Sequence, residues 1–233
     1  MRIGLISDIH GNLPALETVL EALRDASVDT IFCLGDTVGY GPYPNECLAL
    51  VREKCSVVLK GNHDSGLIGE TSVEDFNQYG LKALLWSKER VTEENKEYLR
   101  ALPFTVIREN ITLAHASPLR PAEWTYILTL RAARVNFSSF TTTICFIGHT
   151  HVPVIINEDM SVGEFRKGTR CIINIGSVGQ PRDGNPDAAY AIYDTGEDDF
   201  TLLRAAYDIQ KTADAIVAAG LPEYLARRLF HGA

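Results

Sequence analysis

Apolar and polar stretches alternate from the first residues of the chain. Residues 2–6 form a short apolar run rich in Ile and Leu. Residues 13–23 carry apolar side chains at 13, 16, 19, 20 and 23, the spacing of one helix face. Residues 30–34 are apolar again, 46–51 continue a second helical pattern, and 56–59 read as a third short strand. Strand, helix, strand, helix, strand is the order of a parallel α/β sheet. The middle is more helical. Residues 73–88, 93–102 and 121–137 have helical spacing, with Thr92 as an N-cap and Glu93 and Glu94 in the first turn that follows. A hairpin is expected from 104–107 to 111–114. Strands return at 143–147, 154–157, 170–175, 188–194 and 200–207. Two helices, 208–219 and 221–230, close the chain on either side of Gly220, with Pro222 near the start of the second. No repeat or linker breaks the pattern. Residues 1–233 are therefore expected as one α/β domain with two stacked sheets, one from the early strands and one from the late strands. The helices over 208–230 are expected as a peripheral extension.

Composition narrows the class without naming a function. The chain has 233 residues, 45% hydrophobic and 22% charged, an ordinary globular balance. Its formal net charge of −8, from 22 basic and 30 acidic residues, argues against an extended nucleic-acid face. An anionic substrate then needs local positive charge, which a metal site supplies. No apolar run is long enough to span a bilayer, and the opening MRIGLISDIHGN reads as a strand entering a polar loop, with no signal-peptide pattern. The five cysteines, Cys33, Cys47, Cys55, Cys145 and Cys171, show neither metal-knuckle nor C-x-x-C spacing. Buried packing in a reducing compartment, the cytoplasm, is expected.

The candidate chemistry lies in the histidines. Five of the six follow apolar strands in turns: Asp8-Ile9-His10, Gly61-Asn62-His63-Asp64, Ala114-His115-Ala116 and Gly148-His149-Thr150-His151. Gly35-Asp36 follows another strand. Ligands of α/β sheets gather beyond the carboxyl ends of strands, so Asp8, His10, Asp36, Asn62, His63, His115, His149 and His151 are expected at one edge. Carboxylates, an amide and imidazoles without a thiolate suit Mn, Fe, Zn, Ni or Co. Eight groups are too many for one tetrahedral ion with an open position and match two ions sharing a carboxylate. Two such ions clamp a phosphoryl group and acidify a water between them. Residues two apart in an extended segment point the same way, which predicts Asp8 and His10 on one ion. His149 and His151 share an ion by the same rule, or separate if the loop bends.

These blocks carry a resemblance. The order D-x-H, G-D, G-N-H-[DE], a lone H and G-H-x-H resembles the calcineurin-like metallophosphoesterase superfamily, and the segment 174–182 is similar to its small prokaryotic phosphodiesterase-like branch. The resemblance implies a four-layer α/β/β/α sandwich with two mixed sheets. It implies Asp8, His10 and His151 on a first divalent ion, Asn62, His115 and His149 on a second, and Asp36 bridging them, with manganese the working metal. It implies His63 as a catalytic residue that contacts the scissile phosphate and protonates the leaving oxygen while the bridging hydroxide attacks.

One departure bears on the substrate. The protein phosphatases of this superfamily carry G-D-x-x-D-R-G, whose second Asp orients the catalytic His; here Gly39 stands at that position. Asp64 is the candidate to orient His63 instead. A small phosphodiester, including a nucleotide, is therefore expected ahead of a phosphomonoester or a dinucleoside polyphosphate. A metal-binding scaffold of the same fold is the alternative. Seven further residues have two readings. Asn12 either reaches the phosphate or caps the helix at Leu13-Pro14. Arg182 and Arg120 either bind phosphate or pair at the surface. Tyr40, Tyr43, Trp124 and Tyr126 either wall a pocket or pack. His231 is expected to be exposed.

Overall fold

The early strands form where their side chains can be buried on both faces. In the computed structural model, which describes residues 1–74 and 76–233, β1 (Arg2–Ile6), β2 (Thr30–Cys33) and β3 (Val57–Val58) run parallel. Ile3 and Leu5 of β1 face one way and Ile6 the other, the period-2 alternation of a strand. α1 (Leu13–Asp25) and α2 (Pro44–Lys54) lay Leu16, Val19, Leu23, Cys47 and Val51 over the outer face. α3 (Asn62–Ile68), α4 (Gln78–Arg90) and α5 (Glu93–Ala101) follow β3. The hairpin of β4 (Thr105–Arg108) and β5 (Ile111–Ala114) forms as expected, and Thr92 caps α5 through the amide of Asn95.

A second sheet is built from β4, β5, β6 (Ile144–Ile147), β8 (Cys171–Asn174) and β7 (Val154–Asn157), in that spatial order. β5, β6 and β8 are parallel, with antiparallel strands at both edges. Here too the alternation sorts the faces. Ile144 and Phe146 meet Leu5, Phe32 and Tyr193 between the sheets, while Cys145 and Ile147 turn outward beneath Ala133 and Phe137, contributed by α6 (Leu130–Asn136) and the turn after it. The result is the four-layer α/β/β/α sandwich with two mixed five-stranded sheets.

The structure corrects four expectations. The last strands, β9 (Ala188–Asp194) and β10 (Asp199–Ala205), return to the first sheet: β9 pairs antiparallel with β1, Ile3 opposite Tyr193. The helix expected over 73–88 starts only at Gln78, capped by Asn77, and residue 75 lies outside the described residues. The helix expected over 121–137 is broken. Pro121–Glu123 is a single 3₁₀ turn, Trp124 is left-handed at φ 54°, and α6 begins after the Thr129 cap. Finally, α7 (Ile209–Ala218) and α8 (Glu223–Arg227) are not peripheral. Ala213, Ile216, Leu225 and Leu229 share a buried cluster with Ala83 of α4 and Tyr40, which abuts the strand-end residues. Among the described residues no helix is long and apolar enough to cross a membrane.

Candidate metal centre

Five strand ends, three from the first sheet and two from the second, deliver the expected side chains to one edge. Asp8 follows β1 and Asp36 follows β2. Asn62 and His63 open α3 after β3, His115 follows β5, and His149 and His151 follow β6. All are buried. They assemble into linked groups: Asp8, His10 and His151; Asp36, His115 and His149; and His10, Asp36 and His63. Asp8 Oδ1 lies 3.2 Å from His151 Nε2, and Asp36 Oδ2 lies 3.4 Å from His115 Nε2 and 3.6 Å from His10 Nε2. Asn62 Oδ1 stands 3.3 Å from His115 Nε2.

The route to this convergence differs from the strand-alternation argument. Asp8, His10, Asp36, His149 and His151 all have left-handed backbones, with φ between 52° and 67°. The left-handed region costs a non-glycine residue about 1–2 kcal/mol, strain that a functional site holds in place through its surroundings. Asp8 and His10 meet because the turn coils them together. His149 and His151 separate into different groups because the loop bends.

Backbone carbonyls aim the rings. Nδ1 of His10 donates to Val38 O at 2.9 Å, that of His115 to Leu34 O at 2.9 Å, and that of His151 to Gln180 O at 2.6 Å. Nε2 of His149 donates to Trp124 O at 3.0 Å, which leaves Nδ1 for the centre. Such outer hydrogen bonds set the tautomer of a metal-binding histidine. They also create the need for a cation. His10 Nε2 and His151 Nε2 face one another at 3.1 Å, and with both Nδ1 atoms protonated these are two lone pairs. Asp8 Oδ1 is buried without a hydrogen-bond partner. The donor set therefore fits divalent cations, with nitrogen and oxygen ligands that suit Mn, Fe, Zn, Ni or Co. The other Asp8 oxygen accepts from Ser7 Oγ and His149 N. A Cβ at Gly148 would overlap Ser7 Oγ and Asp8 Oδ2, so only glycine lets the two strand ends approach.

Asp64 does not orient His63. Its carboxylate accepts from the backbone N–H groups of Asp36, Thr37, Val38 and Gly61, and so fixes the loop that carries Asp36. Burial, with Asp36 nearby, raises its pKa to about 7. His63 is held differently. Its backbone N–H donates to Asp36 Oδ1 at 2.8 Å, and its ring is packed against Tyr40, His10 and Phe76 at centroid distances of 4.6–4.7 Å. Nδ1 is buried without a partner and lies against Gly39, where a Cβ would overlap it. Burial pulls His63 down to about 4, Asp36 opposing and Arg182 adding to the shift. Burial likewise takes His149 down to about 3. For His115 burial is outweighed by Asp36 and Asp8, which push it up to about 9.

A cleft of about 400 Å³ opens beside Asn62, His63 and His149, walled by Tyr40, Phe76, Trp124 and Tyr126. Tyr43 is absent from this wall and packs with α1 and α2. Arg182 stands near the centre, with its guanidinium 3.0 Å from Gln180 Oε1 and 3.4 Å from Tyr40 Oη, and with Nε buried and unpartnered. Arg120 is corrected: it is 72% exposed, pairs with Glu123 and lies in a separate surface groove.

Asn12 is corrected as well, because its amide is fully engaged. Oδ1 accepts from Ala15 N and Thr212 Oγ1, and Nδ2 donates to Gly179 O and Tyr207 Oη. Asn12→Ala removes a cap worth about 1 kcal/mol and strands buried partners at about 1–3 kcal/mol. A fall in Tm of about 5–10 °C is expected in a thermal melt. A raised KM with unchanged Tm would instead mark Asn12 as a substrate contact.

Comparisons with known proteins agree with this geometry. The family model described as the calcineurin-like phosphoesterase superfamily domain matches residues 1–198. An uncharacterized protein of Methanocaldococcus jannaschii is 40% identical, with the match covering 99% of this chain and 98% of that one. The crystal structure of a metallophosphoesterase from Sphaerobacter thermophilus superposes with a TM-score of 0.89 at 43% identity, over 100% of this chain and 99% of the other. The phosphodiesterase YfcE of Escherichia coli is 25% identical over 83% of this chain and 88% of its own.

Proposed function

The chain belongs to the calcineurin-like phosphoesterase superfamily, and from that premise we propose that it hydrolyses a small phosphodiester at a two-metal centre. Asp8, His10 and His151 would hold one divalent ion and Asn62, His115 and His149 the other, with Asp36 the carboxylate that would serve both; manganese is the metal we propose. The ions, when bound, supply Lewis-acid neutralisation of the phosphoryl oxygens and a water acidic enough to attack near neutral pH. The observation that carries this reading is the pair of buried groups, Asp8–His10–His151 and Asp36–His115–His149, with Asp36 also grouped with His10.

The chain's own groups do the rest. His63 faces the cleft and delivers a proton to the leaving oxygen. A phosphate anion against its ring favours the protonated form, opposing the depression that burial causes. Arg182 brings a forked, permanently charged donor to a non-bridging oxygen, and Gln180 and Tyr40 fix its approach. The carbonyls of Val38, Leu34, Gln180 and Trp124 keep the imidazoles from turning. A diester is preferred because Gly39 replaces the acid of the protein-phosphatase motif, and because a relative at 25% identity is itself named a phosphodiesterase. The five cysteines are free, in keeping with a cytoplasmic setting.

The test is turnover of bis-p-nitrophenyl phosphate beside p-nitrophenyl phosphate, on chelator-stripped protein reloaded with Mn, Ni, Zn or Mg. Metal-dependent turnover that favours the diester is expected. Turnover of the monoester alone would overturn the preference. Two bound ions with no turnover of either would favour the scaffold.

A further inference from the structure

The cleft beside His63 has a composition that the metal centre does not require. Tyr126 stacks on His149 with ring centroids 4.0 Å apart and planes 23° from parallel, and its other face leaves it 47% exposed. Trp124 is locked: its indole N–H donates to Thr71 Oγ1, its carbonyl accepts from His149, and its backbone is left-handed. Phe76 closes the side next to His63. The polar groups on the wall, Thr71, Ser72 and Asn77, are neutral. Among the described residues the lining holds no Lys or Arg, and its one formal charge is Glu123. That carboxylate is paired with Arg120 outside the cleft, so the wall offers an anionic chain no attracting charge. A flat neutral ring with hydrogen-bonding edges would meet the aromatic side chains of Tyr126, Trp124 and Phe76 on the wall.

We infer that this cleft is a base-binding subsite, so that the substrate is a nucleoside phosphodiester whose base stacks on Tyr126 while the phosphoryl group sits at the metals. The inference deepens the phosphodiesterase reading and rests on it. The cleft volume of about 400 Å³ lies at the small end of ligand pockets and suits one nucleoside. The polyphosphate bridge of a dinucleoside polyphosphate has no cation to meet there. The hydrogen bond from His149 to Trp124 O also ties the loop that carries the stacking wall to a candidate metal ligand after β6, which fixes the base relative to the phosphorus.

Binding is measured by tryptophan fluorescence of the metal-loaded protein, titrated with adenosine 5′-monophosphate, ribose 5-phosphate and inorganic phosphate. The expected result is saturable quenching by the nucleotide at concentrations at least about tenfold below those of the other two, in line with the worth of base stacking on an aromatic side chain. Trp124→Phe should abolish the quench, because the other tryptophan, Trp86, lies on α4 and does not line the cleft. Tyr126→Ala should weaken nucleotide binding and raise KM by about tenfold or more with metal content kept, and Tyr126→Phe should restore both. Equal binding of all three probes, or no effect of Tyr126→Ala, overturns the subsite while leaving diester hydrolysis standing. Selective nucleotide binding without turnover of any diester supports the subsite and overturns the hydrolase reading.

Discussion

His63→Ala is expected to lower turnover by about 10²–10⁴-fold, the usual contribution of a positioned acid or base, while two metal ions per chain are retained. The second half of that result matters most. His63 lies close enough to His10 and Asp36 to form a third possible metal triad, so proximity alone does not separate a proton donor from a ligand. The surroundings separate them. Each of His10, His115, His149 and His151 has one ring nitrogen tied to a carbonyl, which presents the other to the centre. His63 has no such tie. Its Nδ1 is unpartnered against Gly39, and its ring is held by packing among Tyr40, His10 and Phe76 in the wall of the cleft. A ring held by packing can meet a leaving oxygen without giving up a metal. Turnover on the reloaded variant and metal content by plasma emission are read on the same sample. If one ion leaves with the side chain, His63 is a ligand and the donor must be sought elsewhere.

The positions of the candidate ligands are legible in the sequence because each block pairs a side chain of the right chemistry with the end of an apolar run. Asp8, Asp36, His115 and His149 could be placed at one edge from that pattern alone. What aims them is not legible, since the acceptors are carbonyls of Val38, Leu34, Gln180 and Trp124, and every residue has a carbonyl. Asp64 illustrates the same limit. Its place beside His63 suggests an orienting carboxylate, but as the third residue of α3 it turns back to the N–H groups of Gly61 and the Asp36 loop. Residues 121–137 have helical spacing that the fold overrides at Trp124, whose backbone is left-handed, whose carbonyl accepts from His149 and whose indole N–H donates to Thr71. Strand order escapes for a different reason. β9 has both faces buried and would satisfy either sheet by pattern, and only its pairing with β1 decides.

Asp36→Asn is expected to lose both ions together, whereas Asp8→Asn is expected to lose one. The contrast follows from reach. Asp8 has its unpartnered oxygen nearest His151, with His10 and His115 farther off at 3.8 and 3.9 Å. Asp36 sits between the groups, with Oδ2 3.4 Å from His115 and 3.6 Å from His10 and Oδ1 accepting from His63 N. Asparagine keeps the size of the side chain and an oxygen for the His63 amide, but removes the charge that both sites share. Outer partners of a metal ligand are worth about 10–100-fold in affinity, so a carboxylate touching both ions is worth more than about 100-fold. Metal content after dialysis should fall from two per chain to none in Asp36→Asn, and turnover should fall with it to background. It should fall to one in Asp8→Asn. A thermal melt of each stripped variant shows whether the fold survives, and the expected Tm lies within a few degrees of the stripped parent. Retention of one tightly bound ion in folded Asp36→Asn would mean that the two groups bind independently, and the shared carboxylate would have to be abandoned.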